Sequence, residues 1–206
     1  WQCRHNLYRG DGAFGQFCIV MPEQDAVLAI TSGSDDMQGI MNVAWEHLLP
    51  AMKNAPLPTD EDGVKQMDQK LRSLAISTVK GDQKSPKAAE VSRKTYIMEP
   101  NNRSIKSVSF NYELSPIEIT ITTDKDVDTL RVGYQENQLG LLPNPPLVSH
   151  KVAVSGAWED ANTYKAQCIY YETPQSMSFT FKFEGNKLTW YTENKASFGP
   201  KNLPQM

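Results

Sequence analysis

The sequence predicts an α+β chain: a short β-hairpin and a helix, then an antiparallel meander of eight strands, enough to close into a barrel. Three observations predict it. Near the N-terminus two apolar runs, Gln16–Met21 and residues 26–31, flank the turn residues Pro22-Glu23-Gln24-Asp25. From Met37 to Leu49 the apolar residues fall at helical spacing. Between residues 92 and 198 the period becomes two.

The first element is the stretch Tyr8-Arg9-Gly10-Asp11-Gly12-Ala13-Phe14-Gly15-Gln16, with three glycines in six residues ahead of an apolar run. It predicts a flexible turn, where a backbone N–H can approach a ligand with no Cβ in the way. The residues before it, from Trp1 to Tyr8, read as a short strand. The unbroken apolar run Gln16–Met21 suits a strand buried on both faces. Ser34 is the expected cap of the first helix, with Asp35 and Asp36 at the positive end of its dipole. Met37, Ile40, Met41, Ala44 and Leu48 form its stripe, Trp45 and Leu49 widen it, and Pro50 ends it. A hairpin and one helix cannot cover both faces of a sheet, so residues 1–52 need more chain.

Residues 53–91 read as a helical linker. Thr59 is the expected cap of a second helix, whose narrow stripe of Val64, Met67, Leu71, Leu74 and Ala75 suits a surface position. Residues 80–88 are polar and turn-rich, which predicts a mobile connection open to proteolysis.

Residues 92–206 hold the meander. Thr95 to Met98 makes the first strand. Val108, Phe110, Tyr112 and Leu114 then alternate with polar residues, as do Ile117, Ile119 and Ile121, and Leu130, Val132 and Tyr134. Val152, Val154 and Trp158, then Tyr164, Ala166, Cys168 and Tyr170, continue the rhythm. Met177, Phe179, Phe181 and Phe183 follow, then Leu188 and Trp190. Eight such strands can close and remove their edges. Residues 135–146 are expected to form a loop across one mouth.

The net charge of −3, with Lys and Arg scattered, argues against a nucleic-acid surface. No apolar stretch approaches the ~20 residues of a membrane span. Cys3, Cys18 and Cys168 form neither a disulfide framework nor a zinc spacing; Cys18 and Cys168 lie in apolar alternation and read as buried thiols. His47 has no second histidine four residues on, and His5 and His150 stand alone, so neither metal nor cofactor is expected. Asp35-Asp36 and Asp60-Glu61-Asp62 are explained as helix starts. With no secretory leader, the cytoplasm is favoured over export, although a chain opening at Trp1 reads as a fragment or a processed product.

The run Gly12-Ala13-Phe14-Gly15-Gln16, an apolar strand, Pro22-Glu23, a second apolar strand and Trp45-Glu46-His47-Leu48-Leu49-Pro50 resembles the C-terminal end of a known catalytic domain. That domain belongs to the beta-lactamase-related serine hydrolases, which include class C beta-lactamases and penicillin-binding DD-peptidases. Residues 92–198 resemble the β-rich extension that some bacterial members carry. The features are Lys94-Thr95-Tyr96, Glu99-Pro100-Asn101, Tyr171-Glu172-Thr173-Pro174 and Ser197-Phe198-Gly199. The resemblance implies acyl transfer to a serine, with an amide or ester as substrate. It implies a Ser-x-x-Lys pair, a Tyr-x-Asn element and a third element, often Lys-Thr-Gly, on the strand lining the site. Gly10-Asp11-Gly12 then occupies the third position, and the Ala13 N–H donates to the oxyanion. A frame shifted by two places Tyr8-Arg9-Gly10 there instead, with Arg9 as the cation. Asp11 departs from the usual neutral residue, and the lysine is missing.

The remaining machinery is expected upstream of Trp1, so this chain by itself is expected to be inactive and to need the rest of its catalytic domain as partner. Ser77-Thr78-Val79-Lys80 matches Ser-x-x-Lys but follows a helix instead of starting one, so it reads as chance. The same holds for Arg9-Gly10-Asp11 as an adhesion tripeptide. The competing role is a lipocalin-like barrel that binds an apolar ligand. A third is structural, with the barrel covering the catalytic domain or joining two copies. Tyr96, Trp158, Tyr164, Tyr170 and Trp190 either line a cavity or fill a core, and the unbroken alternation favours the filled core.

Overall fold

Gly10 and Gly12 lie in a strand, and only Ala13-Phe14-Gly15 form the turn. This emerges from a computed structural model that describes residues 1–142 and 151–206. The chain mixes helices with antiparallel sheets and divides into two units, Trp1–Ile76 and Ser77–Met206.

In the first unit, β1 (Tyr8–Gly12), β2 (Gln16–Met21) and β3 (Ala26–Ile30) make an antiparallel sheet in that order. The residues before β1 are not a strand. Gln2 bridges to Tyr8, and Arg4–Asn6 make a 3-10 turn with His5 and Asn6 at φ 60° and 57°. Phe17, Ile19 and Met21 share one face of the sheet. With Leu7, and Met41 of α1 (Met37–Val43), they build a small core. β2 is therefore covered on one face only, and Cys18 on the other face is exposed, against expectation. The helical run continues through a π turn, Ala44–Leu48, and a 3-10 turn, Leu49–Ala51, that contains Pro50.

The cap of α1 is Asp36, not Ser34. Asp36 Oδ1 accepts from Gly39 N–H at 2.8 Å, while the Ser34 N–H is held back in the loop by Phe14 O at 3.0 Å. Asp60 likewise replaces Thr59 as cap of α2 (Glu61–Ser73), accepting from Gly63 N–H at 2.8 Å. The stripe of α2 faces outward, with Val64, Met67, Leu71 and Leu74 all more than half exposed.

The second unit begins with a strap. Val79 N–H donates to Ser155 Oγ at 3.2 Å, Asp82 and Trp158 exchange two backbone bonds of 2.8 Å, and Ser85 Oγ donates to Ala161 O at 2.6 Å. The segment expected to be a mobile connection is thus pinned by hydrogen bonds its polar sequence does not announce. Gly81, at φ +148°, passes so close that a Cβ would fall on Trp158 O, so only glycine fits. α3 (Pro86–Val91) then drops Val91 into the core.

β4 (Thr95–Ile97), β5 (Ile105–Asn111), β6 (Ile117–Thr123) and β7 (Val127–Val132) form one antiparallel sheet in sequence order. A second sheet is made of β8 (Gln138–Leu141), β9 (Lys151–Trp158), β10 (Thr163–Tyr170), β11 (Ser176–Glu184) and β12 (Lys187–Lys195). All eight expected strands are present, and β8 is added where a loop was expected. Residues 143–146 of that loop, and His150, lie outside the described residues.

The sheets share one core but do not close into a barrel. The reason is local. The outer edge of β12, which closure would offer to β4, is already paired with residues 201–206, through Asn194 N–H to Lys201 O (2.7 Å), Leu203 N–H to Thr192 O (3.0 Å) and Trp190 N–H to Met206 O (2.8 Å). A cleft of about 720 Å³ remains between β4 and β12. At the opposite corner Gly133 bridges in parallel to Ser155, linking the end of β7 to β9.

One end of this core is filled by rings. Phe110 meets Phe181 and Phe183 edge-on at 5.0 and 5.2 Å, and Tyr112 lies 5.0 Å from Trp158. Burial raises the phenols of Tyr112, Tyr164 and Tyr170 and pushes the Cys168 thiol up to about 12. The sign follows from linkage. Below the ordinary values these groups are neutral in both states and stability is complete. As pH rises past about 9 the unfolded chain ionises first, and stability falls. The urea midpoint of the second unit is expected to be flat from pH 7 to 8.5 and to drop steadily towards pH 11. A flat midpoint to pH 11 would contradict the burial of these groups.

Candidate functional site

The residues singled out by the sequence lie along β1 and its turn, and parity sorts their side chains. Arg9 and Asp11 face the same side as their cross-strand partners Ile19 and Phe17. Tyr8, Gly10 and Gly12 belong to the other face. Arg9 Nε donates to Asp11 Oδ1 at 2.6 Å, Nη2 to Oδ2 at 3.2 Å and Nη1 to Cys3 Sγ at 2.9 Å. The hydrogen bond to Asp11, then that to Cys3, raises the guanidinium above its ordinary value. Arg9 is therefore already neutralised by its neighbour and is poorly placed to serve as a free cation.

The backbone edge is more informative. Trp1 runs beside Arg9, with bonds of 2.7 and 2.8 Å exchanged between them, so the N–H and C=O of Arg9 point away from β2. Alternation turns those of Asp11 to the same outer edge, which no described residue covers beyond Arg9. Ala13 sits at the exposed tip, its N–H without a hydrogen-bond partner among the described residues.

The turn is held from behind. The Gln16 side-chain amide donates to Ser32 O, and Gln16 Oε1 accepts from Ser32 N–H at 3.4 Å. Gly15, at φ +84°, lies against Ile40 and Ser32 with no room for a Cβ. On the face that carries Tyr8, Cys18, Val27 and Ala29 are all exposed, Tyr8 at 53% and Val27 at 64%. Ser77 lies in an irregular, exposed stretch and starts no helix, so the Ser-x-x-Lys match has no catalytic geometry.

The second unit holds a cavity of about 410 Å³ at the end of the sandwich opposite the ring cluster. Ile121 and Leu130 line it from one sheet, and Cys168, Tyr170, Met177 and Phe179 from the other. Arg103, Asp128 and Tyr170 line it, together with Thr123 and Asn194. The turn before β5 aims Arg103. Asn101 Oδ1 accepts from the N–H groups of Arg103 and Ile105 at 3.1 and 3.2 Å, and its Nδ2 donates to the carbonyls of Glu99 and Ile105 at 2.8 Å each. Burial lowers the Arg103 guanidinium, while burial, then the nearby Asp126, raises the Asp128 carboxyl.

The sequence signal for Asp128 was available, since it shares the parity of Leu130 and Val132 and so falls on the inward face. Thr192 and Asn194 continue the parity of Trp190 in the same way. Arg103 gave no such signal, because Asn101-Asn102-Arg103-Ser104 reads as a solvent turn. Among the described residues no group of three or more His, Cys, Asp or Glu side chains could hold a metal ion, and no helix is long and apolar enough to cross a membrane. No protein-family model, curated protein or solved structure matches this chain.

Proposed function

We propose that this chain is the C-terminal part of a beta-lactamase-related serine hydrolase that cleaves a small amide or ester through an acyl-serine. One observation carries the proposal. Among the described residues nothing covers the outer edge of β1 from Asp11 to Ala13, and the Ala13 N–H at its end has no partner there. An acyl group laid along that edge would find donors where charge develops at the carbonyl, often the largest single contribution to such catalysis. The block by Trp1 at Arg9 favours Gly10-Asp11-Gly12 over Tyr8-Arg9-Gly10 as the wall of the site. The bare apolar face of the sheet supports a second layer of the same catalytic domain, which supplies serine, lysine and tyrosine. The chemistry would need no cofactor.

The parent polypeptide is expected to be labelled covalently by a serine-reactive acylating probe, and the 206-residue chain alone is not. Ala13→Pro in the parent deletes the N–H and is expected to slow labelling by about 10²–10³-fold. A folded, active parent that takes no label overturns the proposal, as does an unchanged rate in Ala13→Pro.

The cavity beside Arg103 favours a second role, in which the β-rich unit binds a small molecule. Its hollow end does not fit a purely structural, filled core.

A further inference from the structure

The hollow end of the second unit leaves a positive charge unanswered. The Arg103 guanidinium sits 4.9 Å from the Trp190 ring centroid and donates from Nη1 to Thr192 Oγ1 at 2.8 Å. No described carboxylate pairs with it. Guanidinium carries five donors in a planar fork suited to a carboxylate, and a half-buried one is stabilised by such a partner. Two further groups in the same wall, Asp128 Oδ1 and the Tyr170 hydroxyl, are buried with no hydrogen-bond partner among the described residues. Such groups are rare unless water or a ligand completes them. The unpartnered Asp128 Oδ1 is an acceptor that a hydroxyl donor can satisfy. Apart from Thr123 and Asn194, the remaining wall, with Ile121, Leu130, Met177 and Phe179, is mainly apolar. Its volume, about 410 Å³, is that of a small-molecule site.

We propose that this cavity binds a small, mainly apolar carboxylic acid that also bears a hydroxyl group. The carboxylate lies on the Arg103 fork with the Tyr170 hydroxyl donating to it. The ligand hydroxyl donates to Asp128, and the carbon chain rests on Leu130, Met177 and Phe179. The assignment rests on the binding role of the second unit and is independent of the acyl-serine chemistry.

Calorimetric titration of the intact chain with 8-hydroxyoctanoate, octanoate and 1-octanol tests it. The hydroxy acid is expected to bind tightest, and octanoate at least about tenfold tighter than octanol, as expected for a charge-assisted pair. Arg103→Met is expected to erase the preference for octanoate over octanol while octanol still binds. Asp128→Leu is expected to erase the preference for the hydroxy acid over octanoate, and Met177→Trp, which fills the cavity, to abolish all three. Equal affinity for octanoate and octanol in the unaltered chain overturns the carboxylate assignment, as does an undiminished preference in Arg103→Met. No binding of any of the three overturns the binding role itself. None of these outcomes bears on covalent labelling of the parent, which tests the hydrolase separately.

Discussion

Phe181→Ala is expected to destabilise the second unit by about 3–5 kcal/mol, the range for removing a fully buried aromatic ring. The ring has no exposed surface and sits 5.0 Å from Phe110 and 5.1 Å from Trp190, bridging the two sheets through Phe110. Its ring neighbours Phe110, Phe179 and Trp190 belong to three strands, β5, β11 and β12, so the hole left behind cannot collapse by moving one of them. A urea titration followed by near-ultraviolet circular dichroism reads the change, and the melting temperature is expected to fall by roughly 10 °C or more. A loss below about 1 kcal/mol would show that the site is loosely filled. Phe179→Ala, nearer the cavity, is expected to cost less, because part of its surroundings is already empty.

Gly15→Ala is expected to loosen the first unit by about 2–5 kcal/mol. Two contributions add. The residue is held at φ +84°, where an L side chain costs about 1–2 kcal/mol, and the new methyl would meet Ile40 and Ser32, an overpacking that costs roughly 1–3 kcal/mol. Amide exchange reads the effect best, with faster exchange expected together in β2 and α1, since the turn is their point of attachment. Gly10→Ala is the control. A Cβ there meets nothing within 4 Å, and its effect on stability is expected to stay below about 1 kcal/mol. If both substitutions cost the same, the turn is not a packing device.

Strand rhythm carried most of the fold into the sequence. Wherever large apolar residues alternate, from Val108 to Trp190, a strand is present. What alternation could not convey was closure. Whether β12 meets β4 depends on residues 201–206, which have no periodic pattern and become a strand partner only because that edge is free. The caps moved by one or two residues for a similar reason. Serine, threonine and aspartate are all good caps, and the choice of Asp36 and Asp60 is made by where the preceding chain is tied. In the candidate site, the glycine stretch reads as one motif but divides into strand and turn, and the ion pair between Arg9 and Asp11 follows from their shared parity once the strand is known. The cavity was the least legible part. Its arginine comes from a turn, and its hollow end is hidden by the same alternation that fills the other end with rings.

The strap across β9 also sets where the β-rich half can be cut free. A polypeptide begun at Ser92, where the alternation takes over, would lose the two bonds that Asp82 makes to Trp158. It would leave the N–H and C=O of Trp158 unpaired at the end of β9, while Gly133 still holds the same edge at Val154 and Gly156; such an opened edge can recruit a second chain. One begun at Ser77 keeps that edge shut. Clumping of the shorter piece would then reflect the position of the cut and say nothing against the fold.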